Sequence, residues 1–187
     1  MNVLHRWICS SRHWKRKLED DVLPVALNGL DLGDNVVEIG PGFGLTTAWL
    51  SQRIKRLTVV EIDNRLAQRL ANTLRGTNVR VVRGDGTALP FNDKSFSGAV
   101  AFTMFHHVPS RRLQDRLFME VCRVVQYGAI FAGVDSIGSR RMRLLHLRDI
   151  LVPVDPGTLP CRLEAAGFGG VSVTVAGGRF RFAARRK

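Results

Sequence analysis

The stretch VEIGPGFG at residues 37–44 decides the fold of this chain. Its first residues predict a short β-strand, and the residues from Leu45 to Ile54 predict a helix. Three glycines at alternate positions exceed what a plain strand-to-helix turn requires, since a single glycine satisfies such a turn. Without side chains the loop approaches a ligand closely, and the N–H groups at the helix start receive its polar groups. We interpret residues 37–44 as a ligand-binding loop.

The spacing of the glycines narrows the ligand class. The pattern is Gly-x-Gly-x-Gly, because position 45 is leucine where dinucleotide-binding proteins carry Gly-x-Gly-x-x-Gly. Glu61 ends the second predicted strand, about 20 residues beyond the loop, where a carboxylate can accept hydrogen bonds from a ribose diol. Both halves of a nucleoside site are therefore predicted, and a nicotinamide cofactor is disfavoured.

Short apolar strands alternate with amphipathic helices from Asn35 onward. Predicted strands cover residues 36–39, 57–62, 79–82, 98–102 and 129–134, and predicted helices lie between them and near 159–166. After these units, alternating apolar residues on both sides of a turn at 176–178 predict a β-hairpin. We therefore expect an α/β fold: a Rossmann-like doubly wound sheet of seven strands, mostly parallel with an antiparallel C-terminal β-hairpin, and helices on both faces.

The composition indicates one domain. Residues 1–34 are predicted as an N-terminal helical segment, divided at Pro24, that packs on or caps the core formed by residues 35–187. Trp7 and Trp14 are interpreted as core residues of this segment, with a place in a lid over the pocket as the alternative. No apolar run is long enough to span a membrane, and basic residues interrupt the N-terminal region where a secretory signal would be apolar.

Cysteine usage favours a reducing compartment. Cys9, Cys122 and Cys161 are odd in number, far apart and without metal-type spacing, so we expect thiols, no metal site and a cytoplasmic location.

The net charge of +12 has two interpretations. Arginines are spread along the whole chain, which favours solvated charged faces over a nucleic-acid footprint. A polyanionic partner remains the alternative.

Several motifs in order give the chain a family resemblance. Residues 37–44, 59–63, 84–91, and the run from 95–100 to 106–109 resemble the successive motifs of class I S-adenosylmethionine-dependent methyltransferases of the small-molecule branch. The resemblance covers the chain from about Asn35 to its end and implies S-adenosylmethionine as cofactor. It implies Glu61 on the ribose hydroxyls, Ile62 against the adenine and Asp85 at the adenine amino group. The implied cofactor-binding residues are Glu38, Gly40, Pro41, Gly42, Gly44, Glu61, Ile62, Asp85, Gly86 and Phe102.

Two departures from the family pattern bear on the prediction. The opening motif is also similar to that of ribosomal RNA adenine dimethylases, but their Asn/Asp-Pro-Pro-Tyr-type motif is absent, and residues 102–105 read FTMF there. Residues 123–129 read RVVQYGA where family members often carry RVLKPGG, which affects a turn before the fifth strand rather than the cofactor loop.

The implied chemistry is an in-line attack on the sulfonium methyl group, in which the protein mainly positions the nucleophile and excludes water. His106 and His107 follow the fourth predicted strand and are the candidate general bases. The alternative is that one packs against the sheet and the other caps the helix that starts near Ser110. Asp135 and His146 are interpreted as surface residues, with the acceptor pocket as the alternative.

Three functions follow from these residues. The favoured one is methyl transfer to a small-molecule acceptor. The alternatives are a nucleic-acid (RNA) methyltransferase, suggested by the charge, and a catalytically weak cofactor-binding protein. Oligomeric state stays open.

Overall fold

A computed structural model describes residues 11–147 and 149–187, with the backbone alone at positions 12, 141 and 145. The predictions for Trp7 and Cys9 lie outside the described residues. The strands are β1 (Asn35–Ile39), β2 (Arg56–Glu61), β3 (Val79–Arg83), β4 (Phe96–Phe102), β5 (Val125–Ser136), β6 (Phe168–Ala176) and β7 (Arg179–Arg186). The helices are α1 (Arg12–Lys17), α2 (Leu23–Leu27), α3 (Leu45–Leu50), α4 (Asn64–Thr73), α5 (Arg111–Val124), α6 (Arg140–Leu145) and α7 (Leu159–Ala165). A π-helical turn, Leu18–Val22, joins α1 to α2, and a short 3-10 helix, Phe105–His107, follows β4.

The seven described strands form one sheet in the order β3-β2-β1-β4-β5-β7-β6. Strands β1 to β5 are parallel to one another, whereas β7 runs antiparallel to both β5 and β6. The order reverses beside β1, between β1 and β4, where open parallel sheets bind ligands at the carboxyl ends of their strands. The predicted fold class is confirmed.

Two apolar clusters cover the two faces of the sheet. One contains residues of α5 and α7, including Leu117 and Leu163, packed on the inner strands. The other contains Leu18 and Leu23 from the N-terminal helical segment, together with Leu50 of α3. Strands covered on both faces are apolar nearly throughout, which is why β4 reads as an almost uninterrupted apolar run.

Side chains cap the starts of α4 and α5. The side chain of Asp63 accepts from the backbone N–H groups of Arg65 and Leu66, and that of Ser110 accepts from Leu113. Ser110 itself, rather than a histidine, therefore caps α5.

The largest difference from the predicted elements lies before the fifth strand. β5 begins at Val125, directly after α5, and its pairing with β4 is irregular between Phe96 and Gly98. Gly128 takes a φ of 76° there, a left-handed conformation that favours glycine. The irregularity coincides with the segment whose sequence departs from the family pattern.

A fully buried aromatic cluster joins the sheet to the face covered by α5. The ring of Phe131 in β5 lies 5.0 Å from that of Phe182 and 5.5 Å from that of Phe168, measured between centroids. We expect Phe131→Ala to lower the free energy of unfolding by about 3–5 kcal/mol, because the site cannot collapse around the lost ring. Chemical denaturation measures this. Met119→Ala, on the exposed side of α5, should change it by less than about 0.5 kcal/mol; equal effects of the two substitutions would contradict this packing.

Within the part of the chain that is described, every helix is too short or too polar to cross a membrane.

Candidate active site

The glycine loop lies at the carboxyl end of β1, next to the point where the strand order reverses. Gly40, Gly42 and Gly44 have φ values of 67°, 56° and 79°, so all three are left-handed. A Cβ atom at Gly44 would lie 2.4 Å from Cδ2 of Leu70, and one at Gly40 would lie 3.0 Å from Cβ of Met104. All three positions favour glycine for conformation, and Gly40 and Gly44 favour it for space as well, whereas a Cβ atom at Gly42 would have no neighbour within 4 Å.

Glu61, at the end of β2, holds the loop from the neighbouring strand. Its Oε2 accepts from the N–H of Gly42 at 3.0 Å, and its Oε1 accepts from the N–H of Asp63 at 2.9 Å. The side chain is buried at 5% exposure and lines a cavity beside the loop. Each carboxylate oxygen has a second lone pair, so the group can accept further hydrogen bonds from a bound diol.

Glu38 lies beneath the loop and faces helix α3. It is fully buried, and its two oxygens accept from the hydroxyl groups of Thr46 and of Thr47, the latter at 2.6 Å. Burial raises the pKa of Glu38 from 4.5 to about 7, although both hydroxyl hydrogen bonds oppose the shift. The carboxyl group therefore ties the start of α3 to the end of β1.

The raised pKa of Glu38 predicts a pH dependence of stability. Between pH 4.5 and 7 the folded protein keeps a proton on Glu38 that the unfolded chain has released, so stability falls as the pH rises through this window. From pH 5 to pH 8 the unsubstituted protein should lose about 2–3 kcal/mol of unfolding free energy relative to Glu38→Gln, whose amide does not titrate and can hydrogen-bond both threonines. Denaturant titrations at the two pH values measure the difference, and parallel pH profiles would contradict the assignment.

One cavity of about 830 Å³ extends from the glycine loop across the carboxyl ends of β1, β2 and β4. Its lining includes most of the residues that the family resemblance implied for the cofactor: Gly40, Pro41, Gly42, Glu61, Ile62, Asp85, Gly86 and Phe102. Gly44 instead starts α3, and Glu38 faces the two threonines.

The lining residues differ in burial. Ile62 is 65% exposed, and Phe102 is buried. Asp85 is exposed and its Oδ1 accepts from the N–H of Thr87 at 2.8 Å. Trp14 of α1 is half-buried; it packs against the apolar cluster on its face of the sheet and also lines the cavity.

The part of the cavity lined by His106, His107 and His146, called here the histidine end, contains a histidine–carboxylate pair. His106 is 3% exposed; its Nδ1 lies 2.5 Å from Oδ1 of Asp135, whose Oδ2 accepts from the backbone N–H of His106. Because a carboxylate accepts, this contact places the proton on Nδ1 and leaves Nε2 as the basic nitrogen.

Two further histidines stand beside this pair. The ring centroid of His107 lies 4.2 Å from that of His106, and that of His146 lies 5.1 Å from both. Nδ1 of His146 lies 2.8 Å from the backbone oxygen of Met142. Burial lowers the pKa of His146, which favours its neutral form.

The interpretation of Asp135 and His146 as surface residues is wrong. Asp135 is fully buried and His146 is 4% exposed. Asp135 lies near the carboxyl end of β5, where its side chain points at the turn after β4, and His146 reaches the same place from the end of α6.

Thr103 is a site residue that sequence reasoning missed. It has a φ of 51° directly after β4, lines the cavity and donates its N–H to the backbone oxygen of Val134 at 2.7 Å. A β-branched residue in the left-handed region is strained, and such strain concentrates at functional sites. Residue type gives no sign of this conformation.

The chain is similar in sequence to known methyltransferases. The methyltransferase domain family matches residues 37–133, about half of the chain. A ribosomal RNA small subunit methyltransferase A of Deinococcus radiodurans is 48% identical over 60 residues, which are 32% of this chain and 20% of that protein. The Leptothrix cholodnii protein of the same name is 32% identical over 154 residues, covering 72% of this chain and 55% of that protein. The chain thus spans between a fifth and about half of the length of these relatives.

Solved structures share the fold over nearly the whole chain. A Pyrococcus horikoshii OT3 protein superposes with a TM-score of 0.80 at 16% identity, covering 96% of this chain and 94% of that one. An S-adenosylmethionine-dependent methyltransferase of Mesorhizobium loti superposes with a TM-score of 0.73 at 17% identity, covering 87% and 96%. The resemblance found in the sequence motifs is confirmed: the chain belongs to the methyltransferase domain family, with the class I fold of S-adenosylmethionine-dependent methyltransferases.

Proposed function

We propose that the protein transfers the methyl group of S-adenosylmethionine to a small-molecule acceptor bound at the histidine end of the cavity. The observation that carries this proposal is a single cavity lined both by the glycine loop with Glu61 and by His106, whose ring is paired with the buried Asp135. A volume of about 830 Å³ lies in the upper part of the range of about 300–1,000 Å³ that ligand pockets span. It gives room for the donor together with a small acceptor.

The donor is assigned to the loop end. Glu61, whose Oε2 already accepts from the N–H of Gly42, would receive the ribose hydroxyls, and Ile62 and the segment around Asp85 would hold the adenine. The carboxylate of the methionine part is received by the left-handed loop, where backbone N–H groups and the start of α3 favour an anion. Methyl transfer at the histidine end would require the sulfonium to face the ends of β4 and β5.

The acceptor is assigned to the histidine end. When bound, S-adenosylmethionine would supply an activated methyl group to a lone pair of the acceptor, with S-adenosylhomocysteine as the leaving group. His106 accepts the proton that the acceptor releases, on Nε2, and the buried Asp135 stabilises the resulting imidazolium. The apolar lining, which includes Phe102, Met104 and Leu117, excludes water from the methyl group.

Transfer of radiolabelled methyl groups to fractionated cell extract tests this function. We expect label in the small-molecule fraction with the unsubstituted protein and a large loss with His106→Ala. Turnover of any acceptor removes the alternative of an inactive cofactor-binding protein. Label confined to the nucleic-acid fraction would overturn the small-molecule assignment.

An RNA acceptor is the second candidate, and two observations favour it. The sequence matches are ribosomal RNA small subunit methyltransferases, and the formal net charge is +12. A protein that neutralises several phosphates loses affinity by about 10³–10⁵-fold between 50 and 200 mM salt. We expect no such steep dependence in binding to a ribosomal RNA fragment and no retention on a polyanion column at moderate salt; the reverse result makes RNA the acceptor.

A further inference from the structure

Three histidines from separate parts of the chain meet at the acceptor end of the cavity. His106 and His107 belong to the turn after β4, and His146 ends α6. One ring nitrogen from each lies within 4.8 Å of the other two, and all three side chains line the cavity. We propose that these histidines bind one divalent transition-metal ion of the zinc class, with a coordination position left toward the acceptor.

The hydrogen bonds around the histidines suit metal ligation. Nδ1 of His106 donates to the buried carboxylate of Asp135, and Nδ1 of His146 donates to the backbone oxygen of Met142. These are the two partners that orient metal-bound histidines in proteins, and both direct Nε2 to the ion. Side chains that only packed against each other would not need a fully buried carboxylate behind one ring.

The spacing is close to that of a tetrahedral site. Zinc–nitrogen bonds of about 2.0–2.1 Å separate two ligand nitrogens by about 3.4 Å, so a small rotation of each ring from the described positions closes the site. Three neutral imidazoles select ions such as Zn²⁺, Co²⁺ and Ni²⁺ over Mg²⁺ and Ca²⁺, which prefer oxygen. Three protein ligands with a fourth position left for a substrate or water is the arrangement of catalytic zinc sites.

The consequence for catalysis, unlike the binding itself, rests on the proposed function. In the metal-bound protein His106 is a ligand rather than a base, and the ion takes over activation of the acceptor. An acceptor hydroxyl or thiol that coordinates the ion loses its proton to bulk water, and its lone pair then attacks the methyl group as the carbon–sulfur bond breaks. The favoured acceptor is therefore one with an oxygen or sulfur that binds the ion.

Calorimetric titration of the chelator-treated full chain with zinc chloride tests the site. We expect one equivalent to bind, and His146→Gln to weaken that binding by more than about 100-fold. Asp135→Asn removes the carboxylate behind His106 and should weaken it by about 10–100-fold. Cys161→Ser, which removes an exposed thiol that does not line the cavity, should leave zinc affinity unchanged.

Two further measurements distinguish loss of the metal site from unfolding and from loss of the donor site. Co²⁺ in place of zinc should give the intense visible absorption of a four-coordinate ion in the unsubstituted protein and lose it in His107→Gln. S-adenosylhomocysteine affinity, measured in the same variants, should stay within about twofold because its assigned contacts lie at the loop end. Zinc affinity unchanged by His146→Gln, or an unsubstituted protein that takes up no zinc while it binds S-adenosylhomocysteine, would overturn the metal site and leave the donor assignment standing.

Discussion

An Asp135→Asn variant is expected to retain its fold and to lose methyl transfer by about 10²–10⁴-fold in kcat. The substitution keeps the size of the side chain, but an amide can present its nitrogen to Nδ1 of His106 and select the wrong tautomer. It also removes the negative charge that stabilises a protonated or metal-bound imidazole. Steady-state transfer to the acceptor fraction that the unsubstituted protein labels measures the loss.

The control for this variant is the same substitution at an exposed carboxylate. Asp93 makes an ion pair with Arg123 at 2.8 Å on the surface and does not line the cavity. Asp93→Asn should leave kcat within about twofold, since exposed ion pairs contribute little. Equal kcat in Asp135→Asn and the unsubstituted protein would remove His106 from the chemistry.

A Glu61→Gln variant is expected to weaken S-adenosylhomocysteine binding by about 10–100-fold. Glu61 accepts from Gly42 and Asp63 and is assigned to the ribose, and hydrogen bonds to a charged group contribute about 1.5–3 kcal/mol. Isothermal titration calorimetry measures the change. Glu164→Gln, at an exposed position on α7, is the matched control and should bind like the unsubstituted protein.

A modified ligand distinguishes a contact of Glu61 with the ribose from an effect of Glu61 on the loop alone. S-adenosylhomocysteine that lacks the 2′-hydroxyl should bind more weakly than the complete ligand to the unsubstituted protein. If the carboxylate receives that hydroxyl, the two ligands should bind Glu61→Gln with nearly equal affinity. An undiminished preference for the hydroxyl in Glu61→Gln would show that Glu61 acts only by shaping the loop.

Much of the fold follows from patterns that act over short distances along the chain. A strand buried on both faces is apolar throughout, whereas a strand buried on one face alternates apolar and polar residues. The apolar run of β4 and the alternation in β6 and β7 therefore identify these segments as strands. Ser110 and Asp63 mark helix starts through contacts two or three residues away. The early start of β5 was not predictable in this way, since it depends on its irregular pairing with β4.

The candidate site likewise has one part that the sequence motifs predict and one part that only tertiary packing brings together. The glycine loop and Glu61 lie on neighbouring strands in sequence order, so motif spacing brought them together correctly. The carboxylate of Asp135 meets His106 across 29 residues, and His146 arrives from the end of α6. Which polar residue turns inward at such distances is decided by tertiary packing, and for this reason the histidine cluster was visible only in the structure.

A crystal structure of the protein with S-adenosylhomocysteine shows whether one cavity holds the donor beside the histidines. We expect the ribose hydroxyls on Glu61, the amino-acid carboxylate at the glycine loop and the sulfur pointing toward His106 and the two other histidines. A ligand bound elsewhere, or one whose sulfur faces away from the histidine end of the cavity, would contradict this expectation.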